Sequence, residues 1–444
     1  MKIQLSDHFS YSKLIKFTLP SIAMLIFTSI YSVVDGFFIS NFAGKTPFAA
    51  INLIFPVIMI LGTVGFMFGA GGTALVAKTY GEGDKERANR YFSLFVYLAF
   101  FLGALLAIIG IIFTPKAAIL LGATDNLLKD CIVYARILLI ALPFFMLQIM
   151  FQSFFVAAEK PQLGLFVTVA SGVTNMILDA ALVLSFPPHL KLVGAALATA
   201  IAQTVGGVIP LIYFFRKNSS ILRLGKTRFD KIAVLKACAN GSSEFMTNIS
   251  MSVVGVLYNL QLMKYAGENG IAAYGVMMYV SMIFSSAFIG YSVGVSPVIS
   301  FHYGAQNHSE LKSLLKKSLV MVALFGLGMV ILGEVFAFSL SKIFVGYDKE
   351  LFDLTLWGFR IFALSFGFFG FGMFASGFFT ALNDGLTSAI IAFVRTLVLQ
   401  SFAVMILPLI WGINGVWWSV VAAEFMSLIL GSFFLVIKRK KYNY

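Results

Sequence analysis

Long apolar stretches alternate with short polar ones along the whole chain. A helix needs about 20 mostly apolar residues to cross the hydrocarbon of a bilayer, and twelve stretches reach that length. The predicted spans, numbered 1 to 12, cover residues 14–39, 51–77, 91–113, 131–157, 162–186, 192–215, 232–263, 272–301, 318–341, 352–381, 386–411 and 414–437. This pattern predicts an all-α polytopic membrane protein with twelve transmembrane helices.

The two halves of the chain repeat each other at a spacing of about 223 residues. FAGKTPFAAIN at 42–52 aligns with YAGENGIAAYG at 265–275, and FFVAAEKP at 154–161 aligns with FFTALNDG at 378–385. A unit of six helices starts and ends on the same face, so a pseudo-twofold axis along the membrane normal relates the two six-helix lobes. We predict an N-terminal lobe over 1–215, a basic cytoplasmic linker over 216–231 and a C-terminal lobe over 232–444. Two lobes around a cleft are typical of a transporter.

The composition supports a membrane protein and excludes a water-soluble or disordered one. Hydrophobic residues make up 59% of the chain and charged residues only 11%, against about 45–50% and 25% in soluble domains. The formal charge is +13, but the basic residues lie between apolar runs, which indicates a lipid bilayer rather than nucleic acid as the partner. They concentrate in alternate loops, and the positive-inside rule then places both termini in the cytoplasm. We expect a multi-pass protein of a bacterial inner membrane.

Two carboxylates fall at one depth of the N-terminal lobe. An ionisable residue inside a span costs about 2.5–3.5 kcal/mol, so its presence needs a reason. Counted at about 1.5 Å per residue, Asp35 in span 1, Asp179 in span 5 and Thr199 in span 6 share one outer layer. Asn175 lies one turn before Asp179. Oxygen ligands suit Na⁺, and paired acids suit a proton; two neutral, merely hydrogen-bonded acids are the alternative.

The repeat favours a single coupling site. At the matching positions of the C-terminal lobe, Asp35 corresponds to Tyr258 and Asp179 to about Phe402. Symmetric helix contacts alone would not place acids in one lobe only. We therefore predict cation or proton coupling in the N-terminal lobe.

Other polar residues within the spans are candidates for a substrate cleft. Glu244, Arg395 and Glu424 fall near the midplane of the C-terminal lobe, as a structural ion-pair cluster or as a substrate or second cation site. Pro20 removes a backbone hydrogen bond inside span 1 and is expected to kink that helix. Methionine and aromatic side chains adapt to varied apolar cations, and the predicted cleft lining also includes Met24, Thr28, Tyr31, Gln148, Gln152 and Tyr258.

The sequence carries no sign of catalysis. Neither the phosphate-binding motif GxxxxGK[ST] nor the metal motif HExxH occurs. GAGGTA at 69–74 lies inside an apolar span, where close helix contact explains the glycines better than a dinucleotide. Two cysteines exclude a disulfide scaffold. We expect neither an enzyme nor an organic cofactor, with H⁺ or Na⁺ as the coupling ion.

Several segments, in order along the chain, resemble the multidrug and toxic compound extrusion (MATE) transporters of the MOP flippase superfamily. They are LPSIAMLIFTSIYSVVDGFFISNFAGKTPFAA (19–50), YGEGDKERA (80–88), AAEKP (157–161) and GAALATAIAQ (194–203). The resemblance implies Na⁺ or H⁺ coupling at Asp35, Asn175 and Asp179, with Thr199 a looser match. It also implies a C-lobe cation site at Glu244, although the acidic partner expected in span 10 is missing.

The resemblance further implies an antiporter that exports organic cations and drugs by alternating access, and we expect it to work as a monomer. A flippase for a lipid-linked glycan or a narrow metabolite exporter of the same superfamily is the alternative. The flippase predicts a strongly basic central cleft, whereas Arg395 is the one basic residue deep in a span. A major facilitator carrier is disfavoured because GEGDKERANR does not match the usual loop after span 2 of that family.

Overall fold

The computed structural model describes residues 3–123 and 125–444, and this part of the chain contains helices and loops without a strand. The first lobe holds α1 (Tyr11–Phe38), α2 (Lys45–Met67), α3 (Thr73–Gly81), α4 (Lys85–Leu120), α5 (Asp125–Ala157), α6 (Pro161–Leu178) and α7 (Lys191–Phe215). The second holds α8 (Lys231–Gly304), α9 (His308–Val345), α10 (Lys349–Ala363), α11 (Phe366–Ala381), α12 (Gly385–Phe393), α13 (Gln400–Trp411), α14 (Ile413–Ile437) and α15 (Arg439–Tyr442). α1 runs unbroken through Pro20.

The helices account for twelve membrane spans. Within the described residues, ten stretches are long and apolar enough to cross a bilayer, and the pair α10 and α11, bent by 46°, makes an eleventh. α8 counts as one of the ten, yet its 74 residues would extend about 110 Å at 1.5 Å per residue, several times one bilayer. Gly267 breaks α8 with a positive φ of 59°, so α8 carries spans 7 and 8. The predicted all-α, twelve-span architecture is confirmed.

The repeat is visible in the backbone. Asp84 and Asn307, 223 residues apart, each begin a helix as a side-chain cap, accepting hydrogen bonds from the backbone N–H groups of Arg87 and Glu310. Positive φ angles recur at the pairs Gly44 and Gly267, Gly83 and Gln306, and Glu159 and Asn383. Since a positive φ is unusual for Gln, Glu and Asn, their recurrence reflects one loop geometry used in both lobes.

The lobes meet at the end that carries the basic loops. A Cβ added to Gly81 would collide with the carbonyl oxygen of Phe301, and one added to Gly304 would collide with that of Lys78. Residues 78 and 301, like 81 and 304, are themselves 223 apart, so the two contacts are symmetry equivalents. We use the name glycine seam for the contacts of Gly81 and Gly304 together with those of Gly71 and Gly294, which are described next.

The glycine seam continues toward the middle of the molecule. Gly71 lies against the backbone of Ala237, and Gly294 lies against Thr18. Beyond it, the hydroxyls of Ser29 and Ser286 hydrogen-bond across the lobes. Farther along the same helices, a Cβ on Gly36 or Gly255 would meet nothing within 4 Å. The lobes are therefore closed against each other at the basic-loop end and more open toward the other.

Within residues 3–123 and 125–444, four π-helical turns interrupt the α-helices, at Ile39–Ala43, Phe68–Gly72, Asp179–Val183 and Val394–Leu399. Such turns are frequent at functional sites because they re-aim side chains by inserting a residue. The first begins four residues after Asp35, the third begins at Asp179, and the fourth contains Arg395. The fold thus places π-turns at Asp179 and Arg395, and one turn after Asp35.

Candidate functional site

Two helices of the N-terminal lobe bring three of the predicted coupling residues together. Asp35 lies near the end of α1, and Asn175 and Asp179 lie one turn apart at the end of α6. The Asp35 carboxyl group is within hydrogen-bonding range of the side chains of both Asp179 and Asn175. Asp179 is 0% exposed and Asn175 is 2% exposed. Two acids and an amide therefore share one buried space.

The oxygen atoms in this space lack donors. Asp35 Oδ1, Asn175 Oδ1 and both carboxylate oxygens of Asp179 are buried with no hydrogen-bond donor among the described residues. Burying acceptors without partners is costly, and two facing carboxylates cannot hydrogen-bond to each other unless one carries a proton. A shared proton would join one pair of these oxygens through a hydrogen bond, whereas a small cation could be ligated by all four. This is the chemistry that the arrangement can perform.

Thr199 joins this group through Asn175 rather than directly. It lies on α7, where its Oγ1 accepts a hydrogen bond from Asn175 Nδ2 at 3.5 Å and donates to the Ala195 carbonyl at 3.1 Å. With the amide NH₂ group turned to Thr199, the Asn175 Oδ1 atom belongs to the set of acceptors without a donor. Thr199 therefore orients the amide.

Tyr134 was missed by the sequence reasoning. It lies on α5, is 2% exposed, and is close enough to interact electrostatically with both Asp35 and Asp179. Tyr134 lies three residues into span 4 from the outer side, so its depth is near that of Asp35 and Asp179. The depth count was applied to charged residues and did not include tyrosines.

A chain of polar contacts leads from the acids into the lobe. Tyr31, one turn before Asp35, is within hydrogen-bonding range of Gln148. Gln148 Nε2 donates to Ser171 Oγ at 3.1 Å, and Ser171 Oγ donates to the Ala202 carbonyl at 2.7 Å. The network crosses α1, α5, α6 and α7, so it ties the helix bearing Asp35 to the three helices behind it.

The remaining predicted cleft residues of this lobe differ in exposure. Met24 is 1% exposed and packs against Gly164 of α6. Thr28 is partly buried, and its hydroxyl donates to the Met24 carbonyl at 2.9 Å. Gln152 is partly buried on α5.

The C-terminal lobe holds a closed ion pair. Arg395 donates from Nε and Nη2 to the two carboxylate oxygens of Glu424 at 3.0 and 3.2 Å, and both side chains are buried. Gln400 Nε2 donates to the same carboxylate at 3.3 Å, and Gln400 Oε1 accepts from the Tyr258 hydroxyl at 3.0 Å. No hydrogen bond or ion pair among the described residues joins Glu244 to this group. The structure therefore joins two of the three charged residues predicted near the midplane.

Two six-helix lobes that close at one end, with charged groups sealed inside their spans, define a polytopic membrane transporter. The MatE family model matches the chain twice, over residues 20–181 and 245–405, and the chain belongs to this family. The resemblance seen in the sequence is thereby confirmed, and membership places the chain among transporters rather than enzymes.

Similar proteins match over nearly the whole chain. The multidrug export protein MepA of Staphylococcus haemolyticus is 27% identical over 433 residues, covering 97% of this chain and 94% of its own length. The MepA protein of Staphylococcus saprophyticus is 26% identical with the same coverage. An outward-facing multidrug resistance MATE transporter superimposes with a TM-score of 0.92 at 21% identity, covering 98% and 97% of the two chains. A MOP superfamily transporter from Pyrococcus furiosus, described as having a binding pocket of reversed polarity, gives 0.90 at 22% identity, covering 98% of each chain. These structural likenesses show the shared fold.

Proposed function

We propose that this chain is a secondary active antiporter that exports organic cations and drugs in exchange for H⁺ or Na⁺. The similarity to multidrug export proteins over 97% of the chain supports the substrate class. The single observation that carries the coupling is the buried group of four acceptor oxygens on Asp35, Asn175 and Asp179.

Charge neutralisation explains how this site couples. Two facing carboxylates in a span are unstable as a doubly charged pair, because burial and mutual repulsion both penalise the second charge. One proton or Na⁺ removes that penalty, so the loaded and empty sites favour different positions of α1 and α6. Asp35 and Asp179 bind the ion, Asn175 supplies an amide oxygen, and Thr199 holds that amide in place.

Alternating access supplies the transport step. The glycine seam closes the lobes at the basic-loop end, which we place in the cytoplasm by the positive-inside rule, in a bacterial inner membrane. Transport then requires the glycine seam to part while the opposite ends approach each other. The substrate-facing surface that we assign consists of the partly buried Tyr31 and Gln152, with the buried Gln148 behind Tyr31. Tyr31 can contact a cation through its ring face.

The membrane potential is large enough to drive export of a substrate against its concentration gradient. Each charge that moves inward across 100 mV releases about 2.3 kcal/mol, which corresponds to about a 50-fold concentration ratio at equilibrium for a substrate moved against it.

The glycan flippase alternative gains no support from the C-terminal lobe. A pyrophosphate-binding cleft needs unpaired basic groups, whereas Glu424 neutralises the deeply placed Arg395. A narrow metabolite exporter shares the coupling chemistry and differs only in its substrate.

The proposal is tested with purified protein in liposomes. A fluorescent organic cation is supplied, and a pH gradient and a Na⁺ gradient are imposed separately at matched membrane potential. We expect one gradient to drive accumulation in wild-type protein and to fail with Asp35→Asn. Glu334→Gln is the matched control, because Glu334 is also an acid within a span but lies outside the site, 3.9 Å from Arg360. Transport of a panel of anionic metabolites and none of the cations would point to the narrow exporter instead.

A further inference from the structure

An open cavity of about 1480 Å³ lies where α7 ends and α8 begins. Its walls come from the first turns of α4, from the loop between α7 and α8, and from the first turn of α8. We call it the linker pocket. Its basic residues are Arg87, Arg90, Lys226, Arg228 and Lys231.

The positive charge of the linker pocket exceeds the negative charge near it, although Arg87 interacts with Glu82 and Asp84. All five basic side chains are exposed, and none of them forms an ion pair within the described part of the chain. The acid in the lining is Asp230, and its carboxylate is already engaged. Asp230 Oδ1 accepts from the Ala233 N–H at 3.0 Å as the cap of α8, and Oδ2 accepts from the Tyr91 hydroxyl at 3.4 Å. An anion from outside the chain is therefore the natural partner.

The linker pocket also has an apolar border. Phe215, the last residue of α7, is 58% exposed, Phe229 is 71% exposed and Ile232, in the first turn of α8, is 65% exposed. Phe215 and Ile232 lie at the ends of two membrane-spanning helices, so the border continues into the surface that contacts hydrocarbon. A ligand that suits both parts has an anionic head and an apolar tail.

The internal repeat argues against a purely structural reason for these charges. The corresponding segment that enters the N-terminal lobe, residues 3–9, crosses α9 much as the linker crosses α4: Phe9 N–H donates to Glu310, and Arg223 N–H donates to Asn89. At a spacing of 223 residues, the five basic positions of the linker pocket correspond to Glu310, Ser313, Ile3, Leu5 and His8. The fold makes the same crossing with other residue types at four of these five positions and a histidine at the fifth, although the Lys317 amine donates to the Phe9 carbonyl there. The crossing therefore does not require five Arg and Lys side chains at these positions.

We propose that the linker pocket binds the phosphate headgroup of an anionic phospholipid from the leaflet on the basic-loop side. The phosphate lies among the Arg and Lys side chains of α4 and the linker, and the acyl chains lie along Phe215 and Ile232. Basic pockets at the ends of membrane helices recognise anionic lipids in this way. The geometry favours a lipid over free phosphate because only a lipid also covers the apolar border.

The test measures lipid binding to the purified full-length protein by native mass spectrometry, with phosphatidylglycerol and phosphatidylcholine as probes. The test variant is Arg90→Gln/Lys226→Gln/Arg228→Gln. The control, Lys312→Gln/Lys316→Gln/Lys440→Gln, removes the same charge from exposed positions outside the pocket. Melting temperatures measured in phosphatidylcholine establish that both variants are folded.

We expect wild-type protein and the control to retain phosphatidylglycerol in preference to phosphatidylcholine. The test variant is expected to bind phosphatidylglycerol on the order of 100-fold more weakly, from the loss of three cations near the headgroup. Equal phosphatidylglycerol binding by wild type and test variant would overturn the proposal. So would equal weakening in the control, which would indicate net charge alone. Displacement of phosphatidylglycerol by millimolar inorganic phosphate would show an anion site without lipid recognition and would overturn it as well.

Discussion

The carboxyl groups of Asp35 and Asp179 face each other inside the N-terminal lobe, one carried by α1 and the other by the π-turn that follows α6. With Asn175 they present four buried oxygen acceptors that receive no hydrogen bond within the described part of the chain. Neither residue has an acidic counterpart in the C-terminal lobe, where the repeat places Tyr258 and Phe402. The site is therefore a feature of one lobe within a symmetric fold.

Replacing either aspartate with asparagine should separate transport from stability. We expect Asp35→Asn and Asp179→Asn each to abolish coupled efflux. The remaining carboxylate then faces a neutral amide instead of a second carboxylate, so the site no longer needs to bind a cation. The melting temperature should rise, since the new amide N–H groups can donate to acceptors that now have none. Efflux and thermal denaturation of the same preparations test this. Wild-type efflux in both variants would contradict the coupling role.

The Arg395–Glu424 pair should behave as a structural unit. Removing one partner leaves a buried charge unpaired, so Glu424→Gln or Arg395→Leu is expected to cost about 3–5 kcal/mol. The double variant Arg395→Leu/Glu424→Leu should cost much less than the sum of the single changes. A double-mutant cycle of unfolding free energies measures this coupling.

Transport by the double variant then distinguishes the two interpretations of the pair. Efflux near the wild-type level indicates an ion pair that supports the lobe. Loss of efflux in a protein that is stably folded would instead place Arg395 or Glu424 in the substrate path.

The glycine seam should control closure at the basic-loop end. Gly71→Ala introduces a Cβ where the Ala237 carbonyl already lies, so the closed arrangement of the lobes should be disfavoured. Cys238, partly buried next to Ala237, offers a native reporter, whereas Cys131 is 0% exposed. We expect faster maleimide labelling of Cys238 in Gly71→Ala. Gly255→Ala is the control, because its Cβ meets nothing within 4 Å, and Cys238 in this variant should be labelled at the wild-type rate. Equal labelling rates in wild type, Gly71→Ala and Gly255→Ala would show that the glycine seam does not govern closure.

A further prediction concerns the hydrogen bond from the Tyr442 hydroxyl to the carboxylate of Asp384. Asp384 lies in the loop before α12, and burial alone would raise the pKa of its carboxyl group. Opposing effects outweigh burial and hold the pKa below its ordinary value. They are hydrogen bonds from the side chains of Tyr442 and Thr387, a hydrogen bond from the backbone of Thr387, and the positive charge of Lys438. A lowered pKa in the folded state stabilises the protein above the unfolded pKa, about 3.9 for aspartate, and this contribution disappears as the pH falls through the lower folded value.

Tyr442→Phe removes the hydroxyl that donates to Asp384 Oδ2 at 2.7 Å. We expect a lower melting temperature at neutral pH and a smaller loss of stability on acidification below about pH 4. Thermal denaturation across this range, with wild type beside the variant, measures both effects. An unchanged dependence on pH would show that the tyrosine does not set the pKa of Asp384.

Depth along a helix is the property that the sequence predicts well. Counting residues from the end of a span places Asp35, Asp179 and Thr199 at one height because helix rise is constant, and the structure brings these residues into one group. Rotation about the helix axis is not predictable in the same way, because it depends on contacts with neighbouring helices. Glu244 has a suitable depth but does not join Arg395 and Glu424, and Met24 turns toward Gly164.

The sequence pattern does not predict the π-turns or the glycine seam, and the reason is related. An inserted residue at Asp179–Val183 leaves the apolar run intact, so hydropathy is the same with or without it. In the sequence, Gly71 looks like an ordinary membrane-helix glycine, and Gly81 and Gly304 look like ordinary loop glycines; their role is visible only when the opposite lobe is present. Twelve spans and a repeat follow from local composition, whereas these features follow from how the lobes meet.

The central claim is that the coupling cation leaves the Asp35 and Asp179 site when the organic cation binds or is exported. The direct measurement is cation release from purified protein on addition of substrate, followed with a pH indicator for H⁺ and with radioactive Na⁺ for sodium. We predict release of about one H⁺ or one Na⁺ per protein molecule from wild type and from Glu334→Gln, and none from Asp35→Asn or Asp179→Asn. Undiminished release from both aspartate variants would place the coupling site elsewhere in the molecule.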